Sequence, residues 1–519
     1  MKKFAFILTV SIAVFTVVSC SSGGGGGGGS GTPVDPTPGG TVTKKFWAQN
    51  MVTKKFYQLD AQKLAENSRC EVWVEKGSGV TAATANNMAN AYNTVYTRVM
   101  KTFGYTIDVQ IGSSIKEMNT MELAHYLVTG RTSGAKLTLL LLDIKDSYTS
   151  GNGAYTAGYF FSGDMFPDDD PDKYRSNELD MIYIDTYPST PGSQDSNETL
   201  AHEMQHLMNF VTSLVFLMDN TRTAVMDTWI NEGLSAAAEW VYSQNISDSR
   251  LAHYNTDLYG TGTIKEGNNF FVWDNELEDY ATVYLFFQYL RLQSANSADI
   301  YREILTSSNY SDYRAVITAV DINAAHKNNW STLLRDWHAA NFTNAASGLY
   351  GYKNDSKLRN VEAPMFPGGT STVTLLPGEG VYSKTSSAES VPPVSGSINY
   401  SGLGPRGSTS GPNNSTGFVN GARLTYNINT TKDGPQEAGS TTGIAPSIGF
   451  STPGSGSLKT DSSKFSGPFK VDAGYFSRRN GNDSVYDIEK RALNSNNSRS
   501  VNGTVKFDTS TMKKVYIDE

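Results

Sequence analysis

Five residues constrain this chain more than any others: His202-Glu203-Met204-Gln205-His206, set inside an apolar-periodic run that continues to Leu214. A spacing of four puts both imidazoles on one face of a helix, one turn apart. Two neutral imidazoles so placed can hold a zinc ion, and Glu203 then lies beside the metal's water as a general base. The local pattern predicts a helix. Asp195 and Glu198 have the spacing of a capping box, and Leu200, Leu207, Phe210, Val211 and Leu214 supply a buried face. The chain has only six histidines (His125, His202, His206, His253, His326 and His338), so two of them falling four apart around a Glu is a specific signal. The competing reading is a helix whose histidines make ordinary core or surface hydrogen bonds.

A catalytic zinc takes three protein ligands and keeps one position for water. The run Thr228-Trp229-Ile230-Asn231-Glu232-Gly233-Leu234-Ser235-Ala236-Ala237-Ala238-Glu239-Trp240 reads as a second helix, with Glu232 near its start and Glu239 two turns further along the same face. Glu232 is the candidate third ligand; the alternative is an ordinary helix N-terminal acid favoured by the dipole. Glu239 is either the acceptor that orients a ligand histidine or a solvated helix residue.

His-Glu-x-x-His followed by Trp-Ile-Asn-Glu-Gly resembles the gluzincin metallopeptidases. The Asn-Glu-Gly element with a second Glu seven residues on is similar to that of the aminopeptidase-N type. The wider pattern, with residues 70–75, 139–144, 158–160 and 177–185, is similar to the hyicolysin family of bacterial zinc endopeptidases. The similarity runs from about Phe46 to Asn344. It implies an α+β fold: a thermolysin-like zincin domain with a mixed sheet above the active-site helix and an α-rich lower half. It also implies His202, His206 and Glu232 as ligands of one catalytic zinc, Glu203 as the base, and protein or peptide substrates paired along an edge strand, expected near Gly158. A Tyr or His that stabilises the oxyanion is implied as well. Tyr280, Tyr284 and His253 are the candidates, Tyr280 first among them, and each is alternatively a core residue. The sequence departs from the family in two places: twenty-five residues separate His206 from Glu232, and Ala236 stands where thermolysin-like enzymes place a carboxylate. The Gly-x-Met-Glu-Asn element that binds a substrate's N-terminus in aminopeptidases is absent, which favours endopeptidase activity.

The N-terminus reads as an export signal. Lys2-Lys3, an apolar run over residues 4–18 and Val17-Val18-Ser19-Cys20 resemble a bacterial lipoprotein signal, residues 1–19, with Cys20 lipidated after cleavage. A cleaved, non-lipidated signal is the alternative. Ser21 rather than Asp at the next position resembles outer-membrane sorting, so the expected location is the bacterial cell envelope, held to the membrane by lipid. Residues 20–43 then form a Gly/Ser/Pro-rich spacer that cannot bury a core and spans roughly 25 Å.

Charged residues are 18% of the chain, the net charge is −8, and no basic run follows residue 55, which excludes nucleic acid as an expected partner. Of the two cysteines only Cys70 remains after lipidation, so no intrachain disulfide staples the fold. Cys70 alternates with Val72 and Val74 and reads as a buried strand position. Strands are expected over 71–75, 107–111, 136–144, 157–162 and 180–185. Helices are expected over 80–102 (ended by Gly104), 280–292 and 331–342. Asp164, Asp168, Asp169, Asp170 and Asp172 crowd one loop, as a structural calcium site or a solvated acidic loop. The catalytic domain is placed at 44–347. From 348 to 519 the composition shifts to Gly, Ser, Thr, Asn and Pro with short alternating runs at 372–376, 422–428 and 504–507. This is expected to be an all-β accessory domain, with a spacer as the competing reading. A binding or adhesion role on an inactive or latent zincin scaffold is the alternative function.

Overall fold

The run Leu137–Leu142 is buried along its whole length, and its side chains divide between two apolar layers. Leu137, Leu139 and Leu141 point into one core, Leu140 and Leu142 into another, as the period of two demands for a strand covered on both faces. The computed structural model describes residues 42–148, 154–168, 174–256, 263–267, 270–273, 277–366, 372–385, 390–431, 437–440, 469–471, 505–515 and 517. The signal segment, Cys20 and the spacer up to residue 41 lie outside the described residues.

In chain order the first half comprises β1 (Thr43–Gln49), β2 (Phe56–Glu66), β3 (Cys70–Glu75), α1 (Ala82–Phe103), β4 (Tyr105–Ile111), β5 (Ser114–Asn119), α2 (Thr120–Thr129) and β6 (Leu137–Leu142). There follow β7 (Ala154–Thr156), β8 (Gly158–Tyr159), β9 (Met181–Asp185), α3 (Gln194–Met218) and α4 (Thr228–Ser243). Strands β1-β2-β3-β6-β9-β8 make one mixed sheet, parallel at β3/β6 and β6/β9 and antiparallel elsewhere. β8 lies at its edge, where the strand near Gly158 was expected. Cys70, Val72, Val74, Ile182 and Ile184 face the layer that holds α1 and α3, while Trp73, Tyr159 and Tyr183 face the other. Burial pushes the Cys70 thiol up to about 12, which leaves it an inert core residue.

Helix α1 ends as the sequence predicts: Gly104 donates its N–H to Met100 O, and Thr81 caps the start through the Thr84 N–H. The start of α3 corrects the sequence reading. Ser193 is the N-cap, accepting from the Ser196 N–H, so Asp195 lies inside the first turn and the Asp195/Glu198 capping box does not form. Asp195 there still complements the helix dipole. The lower half is helical: α5 (Asp248–Thr256), α6 (Thr263–Gly267), α7 (Leu277–Gln293), α8 (Asp299–Leu305), α9 (Tyr313–Ala319) and α10 (Trp330–Thr343). Among the described residues no helix is long and apolar enough to cross a membrane.

Beyond α10, Gly380–Lys384, Ala422–Asn427 and Ile398–Leu403 form a three-stranded antiparallel sheet with Ala422–Asn427 in the middle. Its Tyr382, Leu403, Leu424 and Tyr426 join the same apolar core as the helices, so composition changes near residue 348 while the core continues. Two later segments return to the first half. Val505–Lys514, which the sequence groups with the tail, pairs antiparallel with β4 and buries Phe507. Lys514 Nζ reaches Asp299 at 2.7 Å, and Thr509 donates to Asp219 at 2.7 Å. Phe469–Val471 pairs in parallel with β7.

His338 of α10 pins the three-stranded sheet. Its Nε2–H donates to Gly378 O at 3.2 Å, Tyr382 donates to His338 O at 2.9 Å, and a Cβ on Gly380 would lie 2.7 Å from the imidazole. Burial lowers the His338 pKa from 6.5 to about 4, the Gly378 bond opposing only in part. A proton therefore binds the unfolded chain first. Stability from this group is complete above pH 6.5 and is lost as pH falls toward 4, by up to about 3 kcal/mol. The expected result is that wild type minus His338→Gln shows this slope in urea midpoints measured between pH 7 and 4. Subtraction cancels Asp164 and Asp185, whose burial-raised pKa values give the opposite sign over part of the range.

Candidate metal centre

Helices α3 and α4 pack side by side beneath the sheet, and their contact brings three fully buried side chains together. His202 Nε2 and His206 Nε2 each lie 3.5 Å from Glu232 Oε2, and the two imidazole rings are 4.7 Å apart at 71°. Among the described residues His202, His206 and Glu232 are the one group of three His, Cys, Asp or Glu side chains arranged to hold a metal ion.

The neighbours fix which nitrogen of each ring can be a ligand. A carboxylate only accepts, so His202 donates its Nδ1–H to Glu239 Oε1 at 2.8 Å. His206 donates its Nδ1–H to Asn231 Oδ1 at 3.1 Å, with Ser235 Oγ also 3.1 Å from that nitrogen. Ser235 in turn donates to Gln205 Oε1 at 2.5 Å. Both Nε2 atoms are thereby left as lone-pair donors aimed at Glu232, the tautomer a metal-ligating histidine needs. Glu239 is 4% exposed, which excludes the solvated alternative and leaves the orienting one. Arg250 Nη2 meets the same Glu239 Oε1 at 2.7 Å.

Zinc fits this donor set. A tetrahedron with ligand distances of about 2.0–2.1 Å separates its donor atoms by about 3.3 Å, close to the observed 3.5 Å. Neither oxygen of the buried Glu232 takes part in a hydrogen bond of good geometry, an expense that a cation would offset. Burial raises the Glu232 pKa, but with no metal bound and the Nε2 atoms protonated the combined pull of His206 and His202 outweighs it and holds the carboxyl below its ordinary value; a cation takes the place of those protons.

Glu203, between the two histidines in sequence, is also fully buried. Its Oε2 accepts the Phe160 N–H at 2.9 Å, directly after edge strand β8. The carboxylate therefore sits where the sheet edge and the imidazole pair meet. Gly158 admits this approach of sheet and helix: a Cβ there would lie 2.8 Å from Thr199 Cγ2 and 2.9 Å from Tyr183 O.

Gly233, next to Glu232, faces the Phe287 ring of α7 so closely that a Cβ would lie 2.2 Å from it. Phe287 is fully buried. Gly233→Ala is expected to destabilise the protein by about 1–3 kcal/mol and to weaken zinc binding by displacing Glu232. Thermal denaturation and zinc competition with a chelator measure the two effects.

The three oxyanion candidates are carried by two helices of the lower half, His253 by α5 and Tyr280 and Tyr284 by α7. The Tyr280 ring packs edge-on against Trp273 at 4.9 Å and lies 5.4 Å from the Arg250 guanidinium. Tyr284 accepts the Ser247 N–H through its hydroxyl at 3.0 Å, and buried His253 lies 3.7 Å from Glu278. The calcium expectation finds no support. Asp164 is buried and accepts from Tyr183 at 2.6 Å and from the Asn177 N–H at 2.7 Å, and burial raises its pKa to about 7. Asp168 pairs with Arg175, so neither offers a free carboxylate to a cation, and Asp169, Asp170 and Asp172 lie outside the described residues. Asn231, Ser235, Arg250 and the Phe160 N–H were not anticipated. Asn231 and Ser235 stand four apart on one face of α4 and were open to notice; Arg250 and Phe160 carry no local signal.

No protein-family model matches the chain. Over 268 residues it is 31% identical to the neutral metalloprotease ShpI of Staphylococcus hyicus. The match covers 50% of this chain and 57% of that relative, so the chain spans somewhat over half its length.

Proposed function

We propose that this chain is a zinc-dependent peptidase, and more narrowly an endopeptidase, with Glu203 as general base. The buried convergence of His202 Nε2, His206 Nε2 and Glu232 Oε2 carries the reading. Similarity to a neutral metalloprotease supports it.

His202, His206 and Glu232 would hold the zinc ion, which when bound would supply Lewis acidity toward the scissile carbonyl and a water molecule. The protein's own groups do the rest. Glu203 takes a proton from the attacking water and later passes it to the leaving amine. The Phe160 N–H anchors one oxygen of that carboxylate at the sheet edge. Glu239 and Asn231 keep the histidine tautomers fixed throughout. Edge strand β8 offers main-chain groups to an extended peptide, a mode of recognition that suits protein or peptide substrates and does not require a free amino terminus. Tyr280 is the proposed oxyanion donor. Tyr280→Phe keeps the ring packing and should then lower kcat with KM unchanged.

Cleavage of an internally quenched peptide with both ends blocked tests the reading. Turnover that stops on chelation is expected; cleavage restricted to peptides with a free amino terminus would sink the endopeptidase assignment. The Val17-Val18-Ser19-Cys20 sequence supports a lipid-anchored protein of the bacterial envelope, and Ser21 supports its sorting to the outer membrane. Fatty-acid labelling that survives Cys20→Ala would contradict it.

A further inference from the structure

Arg250 supports the centre from outside the motif, through Glu239, and its placement is unusual. It sits in the first turn of α5, where the helix dipole disfavours a cation. Ser247 and two tyrosine rings hold it there. Ser247 lies just before the helix, and its Oγ accepts the Arg250 N–H at 3.4 Å. The Ser247 N–H is itself anchored on the Tyr284 hydroxyl of α7 at 3.0 Å. The guanidinium carbon then lies 5.4 Å from the Tyr280 ring and 5.8 Å from the Tyr284 ring, an aromatic wall that suits a planar cation.

The guanidinium is aimed at Glu239. Its Nη2 lies 2.7 Å from Oε1 and its Nε 3.4 Å from Oε2, so it faces both oxygens of one carboxylate. Side-chain exposure is 13% for Arg250 and 6% for Glu239, so the pair is largely withdrawn from water. Glu239 Oε1 is the atom that also accepts the His202 Nδ1–H at 2.8 Å. One oxygen thus joins a cation on α5 to a ligand imidazole on α3.

We propose that Arg250 is a positioning residue for the metal centre. By clamping both oxygens of Glu239, it fixes the direction from which Glu239 accepts the His202 proton, and so fixes the ring plane and lone pair that His202 presents to zinc. Without the clamp, Glu239 can rotate and His202 loses its defined orientation. The residue acts through Glu239 and not by touching metal or substrate.

This inference rests on the zinc reading above, and the experiment separates the two. Zinc affinity of the full chain is measured by chelator competition for wild type, Arg250→Met, Arg250→Lys, Glu239→Gln and the Arg250→Met/Glu239→Gln double variant, with the melting temperature of each zinc-free protein. Wild type that binds no zinc would defeat the functional reading itself. Given wild-type binding, Arg250→Met is expected to weaken affinity by about 10–100-fold, the usual range for a residue supporting a ligand histidine. Arg250→Lys should recover part of the loss, since one ammonium cannot face both oxygens. The double variant should bind within about twofold of Glu239→Gln, because a residue that acts through Glu239 has nothing left to act on. Affinity of Arg250→Met within about twofold of wild type, or losses that add in the double variant, overturn the proposal. A purely structural role would lower the zinc-free melting temperature and leave zinc affinity in place. Should Arg250→Met not fold, Arg250→Lys decides alone: a loss of about threefold or more supports the clamp, and wild-type affinity overturns it.

Discussion

Glu203→Gln should leave a folded, zinc-binding protein that has lost about 10²–10⁴-fold in kcat. Glutamine keeps the volume of the side chain and an oxygen that can still accept the Phe160 N–H, so the geometry at the sheet edge survives. What it lacks is a site for the proton of the attacking water. Zinc content should stay equal to wild type because Glu203 is not among the three converging donors. Stability should hold or rise, since the change removes a fully buried charge. The loss should appear in kcat, with KM close to wild type. A kcat within tenfold of wild type would mean that another group collects the proton.

Glu232→Gln should lose function by a different route, through the metal instead of the proton. The amide oxygen is a weaker, uncharged donor, so zinc affinity is expected to fall at least about 100-fold, near 2.7 kcal/mol, with activity falling alongside. The zinc-free protein should tolerate the change, because the wild-type carboxylate is fully buried without a well-formed hydrogen bond. Zinc added to wild type should raise its melting temperature by mass action, and added to Glu232→Gln should raise it far less. Calorimetry with and without zinc reads both. Equal zinc-induced shifts in the two proteins would remove Glu232 from the ligand set.

The centre was legible in the sequence to the extent that its chemistry is local. His202, Glu203 and His206 lie on one helical turn, and Glu232 and Glu239 lie two turns apart on one helix, so spacing alone placed each group on its face. The edge strand near Gly158 was an expectation from the family resemblance, because nothing in a strand's own pattern says that it lies at an edge. The parts that were missed depend on distant chain. Arg250 reaches Glu239 from a separate helix, and the Phe160 N–H is a backbone group with no residue signature. Val505–Lys514 shows the same limit at the scale of the fold. Its alternation announces a strand, but nothing in a strand's own pattern names its partner, and the partner is β4, four hundred residues earlier. At the start of α3, acids at capping-box spacing competed with Ser193, and the better-placed hydroxyl took the cap.

The most direct test of a zinc peptidase here is one assay on the purified full chain with an internally quenched, end-blocked peptide, run as prepared, after chelation, and after zinc is restored. Zinc peptidase chemistry at His202, His206 and Glu232 predicts turnover that vanishes with the chelator and returns with about one equivalent of zinc. Turnover that persists through complete removal of zinc would contradict it.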